Sequence, residues 1–171
     1  MAQARAFAAF NVALGEKDGE ATFYRSQSSP SSSLLRMGDA HKELYPHTSM
    51  VVPEKVSTRR LDSYADAIEV QGGLLLKIDV QGAEMGVLRG APKLLRRADA
   101  VIAEVGYLGL YEGQSTIGEI SGLLGEYGLT FMGFVDQKVR PADSLPVYGD
   151  VLFVRLRALR QASDLPGDAA R

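Results

Sequence analysis

The chain has no cysteine and only two histidines among its 171 residues. The first absence excludes disulfides, thiolate metal sites and a cysteine nucleophile, and it fits a reducing compartment. His41 and His47 show no carboxylate–histidine spacing of a metal site and are expected on the surface. An excess of one charge is also missing: the net charge of −2 leaves no electrostatic footprint for nucleic acid or an anionic membrane. The basic pairs Arg59-Arg60 and Arg96-Arg97 read as solvated faces. No apolar run approaches the ~20 residues of a membrane span, and Met1 to Phe10 is too short for a signal peptide's apolar core, so a cytoplasmic protein is expected. A G-x-G-x-x-G loop is absent too, since Gly106, Gly109 and Gly113 fall in a predicted loop and Gly82, Gly86 and Gly90 inside a predicted helix.

What is present is a globular composition, 46% hydrophobic and 23% charged, at a length that suits one domain. The domain is expected over 1–160, with a polar, disordered tail over 161–171. Its centre is Leu74 to Glu84, LLLKIDVQGAE. The apolar first half reads as a strand buried on both faces, with the stem of Lys77 lying along the sheet. The second half changes to helical spacing at Val80, Ala83, Val87 and Leu88, and a helix is predicted from Gln81 to Arg97. Its glycines, every fourth residue, allow close approach to a sheet. Asp79 falls at the carboxyl end of the strand, where open α/β sheets contact their ligands. Glu84 lies one turn further, either within reach of the same rim or as a first-turn acid complementing the helix dipole.

Upstream, Phe7 to Leu14 reads as a strand running into a hairpin, with a turn at Glu16 to Gly19 and a return strand over Glu20 to Tyr24. The serine-rich stretch Ser26 to Ser33 is either a flexible connector or a ligand-facing loop. A short helix is predicted within Leu34 to Tyr45, a half-exposed strand over Val51 to Arg60, and a short helix at Leu61 to Tyr64 with Asp62 as its N-cap. Downstream, Ala100 to Val105 reads as the next parallel strand, joined by a right-handed crossover. Its Glu104 either shares the rim with Asp79 or pairs with Lys77. A loop with two tyrosines, Gly106 to Gln114, is long enough to cover that rim. An amphipathic helix over Thr116 to Tyr127 and strands at Leu129 to Val135 and Asp150 to Leu156, the latter two forming an antiparallel edge, complete the pattern.

KIDVQGAE, followed by VLRGAPKLL and VIAEV, resembles the FkbM family of S-adenosylmethionine-dependent methyltransferases. NVALGEKDGEATFY, SSSLL, TRRLDSY, LYEGQ and GDVLFVR extend the resemblance in order from about Asn11 to Arg155. It implies an α/β fold of class I methyltransferase (Rossmann-like) type: a mostly parallel sheet with an antiparallel last strand, here partial and with an inserted hairpin. It also implies S-adenosyl-L-methionine as cofactor and a hydroxyl of a sugar or natural product as acceptor. Asp79 is then the expected positioning group or general base, with Glu84 and Glu104 as supporting catalytic candidates. Ala13, Leu14 and Gly15 would approach the adenine through backbone, and Ser32 and Ser33 would line the mouth of the site, with Asp79 also on the cofactor side. Asp79 and Glu104 could hold Mg²⁺ with waters, but the spacing does not demand it and no metal is assigned.

The family's Gly-rich cofactor loop and ribose-binding acid belong upstream of Asn11, so the chain is expected to begin at about the third strand of the fold. Losing two hydrogen bonds to charged groups would cost about 3–6 kcal/mol, roughly 10²–10⁴ in affinity. Weak or no cofactor binding by this chain alone is therefore expected, together with an exposed sheet edge open to self-association. Three functions remain open: a methyltransferase that is catalytic when the upstream half is supplied, a non-catalytic fragment kept for binding or scaffolding, and, ranked last, a different α/β nucleotide-binding domain whose resemblance is only architectural.

Overall fold

Residues 8–66 and 72–156 are described by the computed structural model. The expected tail over 161–171 lies outside them. A three-stranded sheet, in the order β1-β3-β2, contains Ala13–Leu14 (β1), Gly19–Ser26 (β2) and Val51–Arg59 (β3). A four-stranded sheet, β4-β5-β7-β6, contains Leu75–Ile78 (β4), Ala100–Gly106 (β5), Leu129–Val139 (β6) and Pro146–Arg155 (β7). The helices are Asp39–Leu44 (α1), Glu84–Arg89 (α2), Pro92–Arg97 (α3) and Ile117–Glu126 (α4).

The first strand is shorter than its apolar run suggests, because Phe10 turns out to solvent against the ring of Tyr64. The return strand β2 does not pair with it. β3 lies between them, parallel to β1 and antiparallel to β2 from Gly19 opposite Thr58 to Ser26 opposite Val51. A two-residue strand offers two rungs where β3 offers eight, and the longer ladder decides the partner.

The helix expected over Gln81 to Arg97 is two helices. Pro92 has no N–H to donate back into the preceding turn, so it starts α3 while α2 closes at Gly90. A Cβ on Gly90 would run into the carbonyl of Gly15, and one on Gly86 would come 3.8 Å from the backbone N of Glu16. The glycine stripe thus admits the turn after β1 rather than a sheet. Asp62 caps a different helix from the one expected. Its carboxylate accepts from the backbone N–H groups of Lys93 (2.8 Å) and Leu94 (3.1 Å), satisfying donors at the start of α3. The turn that contains Asp62, Leu61–Tyr64, is a single 3-10 turn.

β4 and β5 run parallel as expected, with Leu75 opposite Ala100 and Ile78 opposite Ala103. β4 is not the central strand buried on both faces that its apolar run suggests: it lies at the edge of the sheet and Leu75 is exposed. The other two pairings of this sheet are antiparallel, with β7 between β5 and β6. The class is therefore mixed α/β, and within the larger sheet parallel pairing is confined to β4 and β5. The core joins this sheet to α2, α3 and α4 through Leu88, Leu95, Val101, Ile120, Leu124 and Phe153. Arg155 ties helix ends to β7 by donating to the carbonyls of Leu95 (2.8 Å), Ala98 (2.9 Å) and Tyr127 (2.7 Å). Thr116 and Glu119 close α4 with a reciprocal capping box. No helix among the described residues is long and apolar enough to cross a membrane.

Candidate functional site

Parallel pairing of β4 with β5 delivers their ends side by side, and this sets the rim. Asp79 follows the last residue of β4, Glu104 sits one step past the Ile78–Ala103 rung, and Asp150 on β7 lies opposite Glu104. Three carboxylates therefore meet at one edge. Lys77 bonds Asp150 and lies 3.8 Å from Asp79, so it does not provide the Glu104 partner that sequence alone allowed. Glu104 instead accepts from the side-chain amide of Gln81 at 2.9 Å.

The turn between strand and helix is built around Gln81 and Gly82, both with positive φ (56° and 92°). Gly82 meets the requirement by lacking a Cβ, which would press on Tyr111. Glu84 holds the turn shut: one carboxylate oxygen accepts from the backbone N–H groups of Val80 and Gly82, each at 3.1 Å. This carboxylate is 4% exposed and belongs to the scaffold beneath the rim. Burial pushes its pKa up, and its backbone donors pull it down. Ser33, also buried, donates to the carbonyl of Gln81 (2.7 Å) and accepts from the backbone of Leu35 (2.9 Å).

Gln81 is the junction of the cluster. Its Nε2 donates to Asp79 Oδ1 (3.0 Å) and Glu104 Oε1 (2.9 Å), while its Oε1 accepts from the Tyr111 hydroxyl (2.9 Å). Tyr111 comes from the tyrosine loop, which reaches the rim as expected. Glu104 is pushed up to about 7, first by burial and then by the charges of Asp79, Glu84 and Asp150, with Lys77 opposing. Burial and Glu104 likewise raise Tyr111 and Tyr45. A carboxyl group half ionised at neutral pH beside a solvent-facing carboxylate can take up a proton from a bound hydroxyl.

The remaining candidates divide. Leu14 and Gly15 line a cleft of about 280 Å³ with Leu35, Gly82, Ala83 and Met85, next to the Gln81 turn. Ser33 joins that turn, whereas Ser32 accepts from the backbone of Ser26 (3.0 Å) and braces the serine loop. Ala13 faces another concavity, with Asn11, Phe23 and Lys55. His41 is not on the surface. It is 4% exposed, 3.1 Å from the Thr48 hydroxyl, and edge-on to the rings of Tyr45 and Tyr111. Burial lowers its pKa and leaves it neutral at pH 7. Gln81 and Asp150 are rim residues that the sequence analysis did not single out, and Tyr111 was included only as part of its loop. The signal for Gln81 is its place between Asp79 and Gly82 in a strand-to-helix turn, and Asp150 reaches the rim only through the pairing of β7 with β5.

A family model described as Methyltransferase FkbM domain matches residues 2–131. The chain is also similar to the 2-O-methyltransferase NoeI of Sinorhizobium fredii (strain NBRC 101917 / NGR234), with 29% identity over 126 residues covering 70% of this chain and 52% of NoeI. It thus spans about half the length of the curated relative it matches. No solved structure matches it significantly.

Proposed function

The chain belongs to the FkbM methyltransferase family, and on that premise we propose that the rim at the end of β4 serves S-adenosylmethionine-dependent O-methylation of a sugar or natural-product hydroxyl. The observation that carries this reading is the joining, through one amide, of Asp79 to a second carboxyl group that titrates near neutrality. Similarity to a 2-O-methyltransferase supports oxygen as the accepting atom. The residues fit the cofactor. Leu14, Leu35 and Met85 give the cleft an apolar wall for a flat base, a Cβ on Gly15 would meet nothing within 4 Å, and the carboxylates Asp79, Glu104 and Asp150 at the neighbouring rim suit a cationic group. Leu14, Gly15 and Ser33 are the residues proposed to hold it, with Ala13 and Ser32 supporting their backbone.

Bound there, S-adenosylmethionine would supply an electrophilic methyl group and would leave as S-adenosylhomocysteine when the methyl–sulfur bond breaks. Glu104 would accept the acceptor hydroxyl's proton at its carboxylate, and Asp79 would orient the acceptor by taking a hydrogen bond from it. Glu84 acts through the turn it closes. Under this reading the partners are small molecules met in the cytoplasm.

Calorimetric titration of S-adenosylhomocysteine into the chain, with Asp79→Ala as control, tests the proposal. Saturable binding that the substitution weakens supports it. A folded chain that gives no heat favours a second reading, a non-catalytic binding or scaffolding piece. The outer edge of β4 has no strand partner among the described residues, and Leu75 there is 55% exposed, so we propose it as the surface for self-association. Sedimentation velocity with Leu75→Lys checks that assignment.

A further inference from the structure

The side-chain amide of Gln81 has both of its donors and its carbonyl oxygen engaged at the rim. Its two N–H donors go to two different carboxylates and its carbonyl to a hydroxyl. The orientation is dictated chemically, because the reversed amide would turn its oxygen on Asp79 and Glu104. The backbone is also held in place. A φ of 56° is a region that a residue with a Cβ enters only under constraint. Here the constraints are the Ser33 hydroxyl on the Gln81 carbonyl and Glu84 on the flanking N–H groups. A side chain locked from both ends, with both of its donors spent on two acids, has a stronger claim to orienting them than to packing.

The consequence for Glu104 is asymmetric. Oε1 is pinned by the amide, while Oε2 accepts no hydrogen bond from the described residues. We propose that Gln81 is a positioning residue, which fixes Asp79 and Glu104 relative to each other and leaves Glu104 Oε2 as the oxygen that receives the acceptor's proton. This rests on the reading of Glu104 as proton acceptor. Because the amide donates to the ionised form, it also opposes the groups that hold Glu104 protonated. Those groups are Asp79 and Glu84 around the turn and Asp150 on β7, with Lys77 acting in the opposite sense; Tyr148 on β7, Tyr45 after α1 and Tyr111 from the tyrosine loop also face Glu104, and its charge raises their own pKa.

Carboxyl-detected NMR titration of Glu104 in the chain itself tests the assignment without requiring turnover. Gln81→Met keeps the length of the side chain and removes both donors, and the Glu104 midpoint is expected to rise by about one pH unit. Tyr111→Phe removes the hydroxyl that orients the amide, along with its contact to the Ser31 carbonyl (3.2 Å), and a rise of roughly half that size is expected. Should Gln81→Met fail to fold, Tyr111→Phe decides alone. A variant with an otherwise native spectrum and an unmoved Glu104 midpoint overturns the proposal. Where methyl transfer is measurable, the rising limb of the kcat pH profile moves with the midpoint while KM stays. Full turnover in Glu104→Gln alongside a shifted Glu104 midpoint in Gln81→Met would remove the proton-acceptor role and leave the positioning intact.

Discussion

Replacing Glu104 with Gln is expected to stabilise the fold at alkaline pH. In the folded chain this carboxyl is pushed from its ordinary 4.5 up to about 7, chiefly by burial and then by Asp79. An acid whose folded pKa is raised costs nothing while both states are protonated, below 4.5. The cost grows as pH rises from 4.5 towards 7 and is complete above 7. At full burial a rise of this size is worth about 3 kcal/mol, and water reaching the half-buried carboxylate reduces it to about 1–2 kcal/mol. Gln has the same shape and its carbonyl still accepts from Gln81, so the hydrogen bond survives while the charge is lost. Urea unfolding of both proteins at pH 4, 6 and 8 reads the difference. Equal stability at pH 4 and a gain of about 1–2 kcal/mol for the variant at pH 8 is expected. A variant less stable at pH 8, or a difference independent of pH, would refute the reasoning. The same substitution is expected to abolish proton uptake, so stability gained is function lost.

Glu84→Ala leaves the N–H groups of Val80 and Gly82 without their acceptor and relieves the burial of a carboxylate. A net loss of about 2 kcal/mol is expected from denaturant midpoints, with a smaller loss for Glu84→Gln. Asp62→Ala uncaps α3 across 31 residues of sequence and is expected to cost about 1–2 kcal/mol, with increased amide exchange at Lys93 and Leu94.

Legibility followed the range of the interaction. β4, β5 and α4 announce themselves because a continuous apolar run and a helical stripe are local patterns, and the rim positions of Asp79 and Glu104 follow from parallel pairing. The partner of β2 does not follow, since the competition between Ala13–Leu14 and Val51–Arg59 is decided by ladder length in three dimensions. The break before Pro92 was written in the sequence and was outweighed by apolar spacing on either side of it. Asp62 has the chemistry of a cap, but which helix it caps depends on the close approach that Gly90 permits. His41 lies against Tyr111, 70 residues away in sequence, and no local pattern marks a histidine for burial.

The position of β4 at the end of its sheet has a consequence for how the site reports on itself. Along a strand, successive residues direct their backbone amides to opposite sides, so only every second amide of Leu75–Ile78 is tied to β5. The tied set exchanges its hydrogens only when the strand opens locally, while the other set faces outward and exchanges from the native state. The strand leading into Asp79 therefore alternates between slow and fast exchange. Anything that docks along its outer side, whether another segment, another copy or a ligand at the turn, will slow the fast set and leave the slow set unchanged.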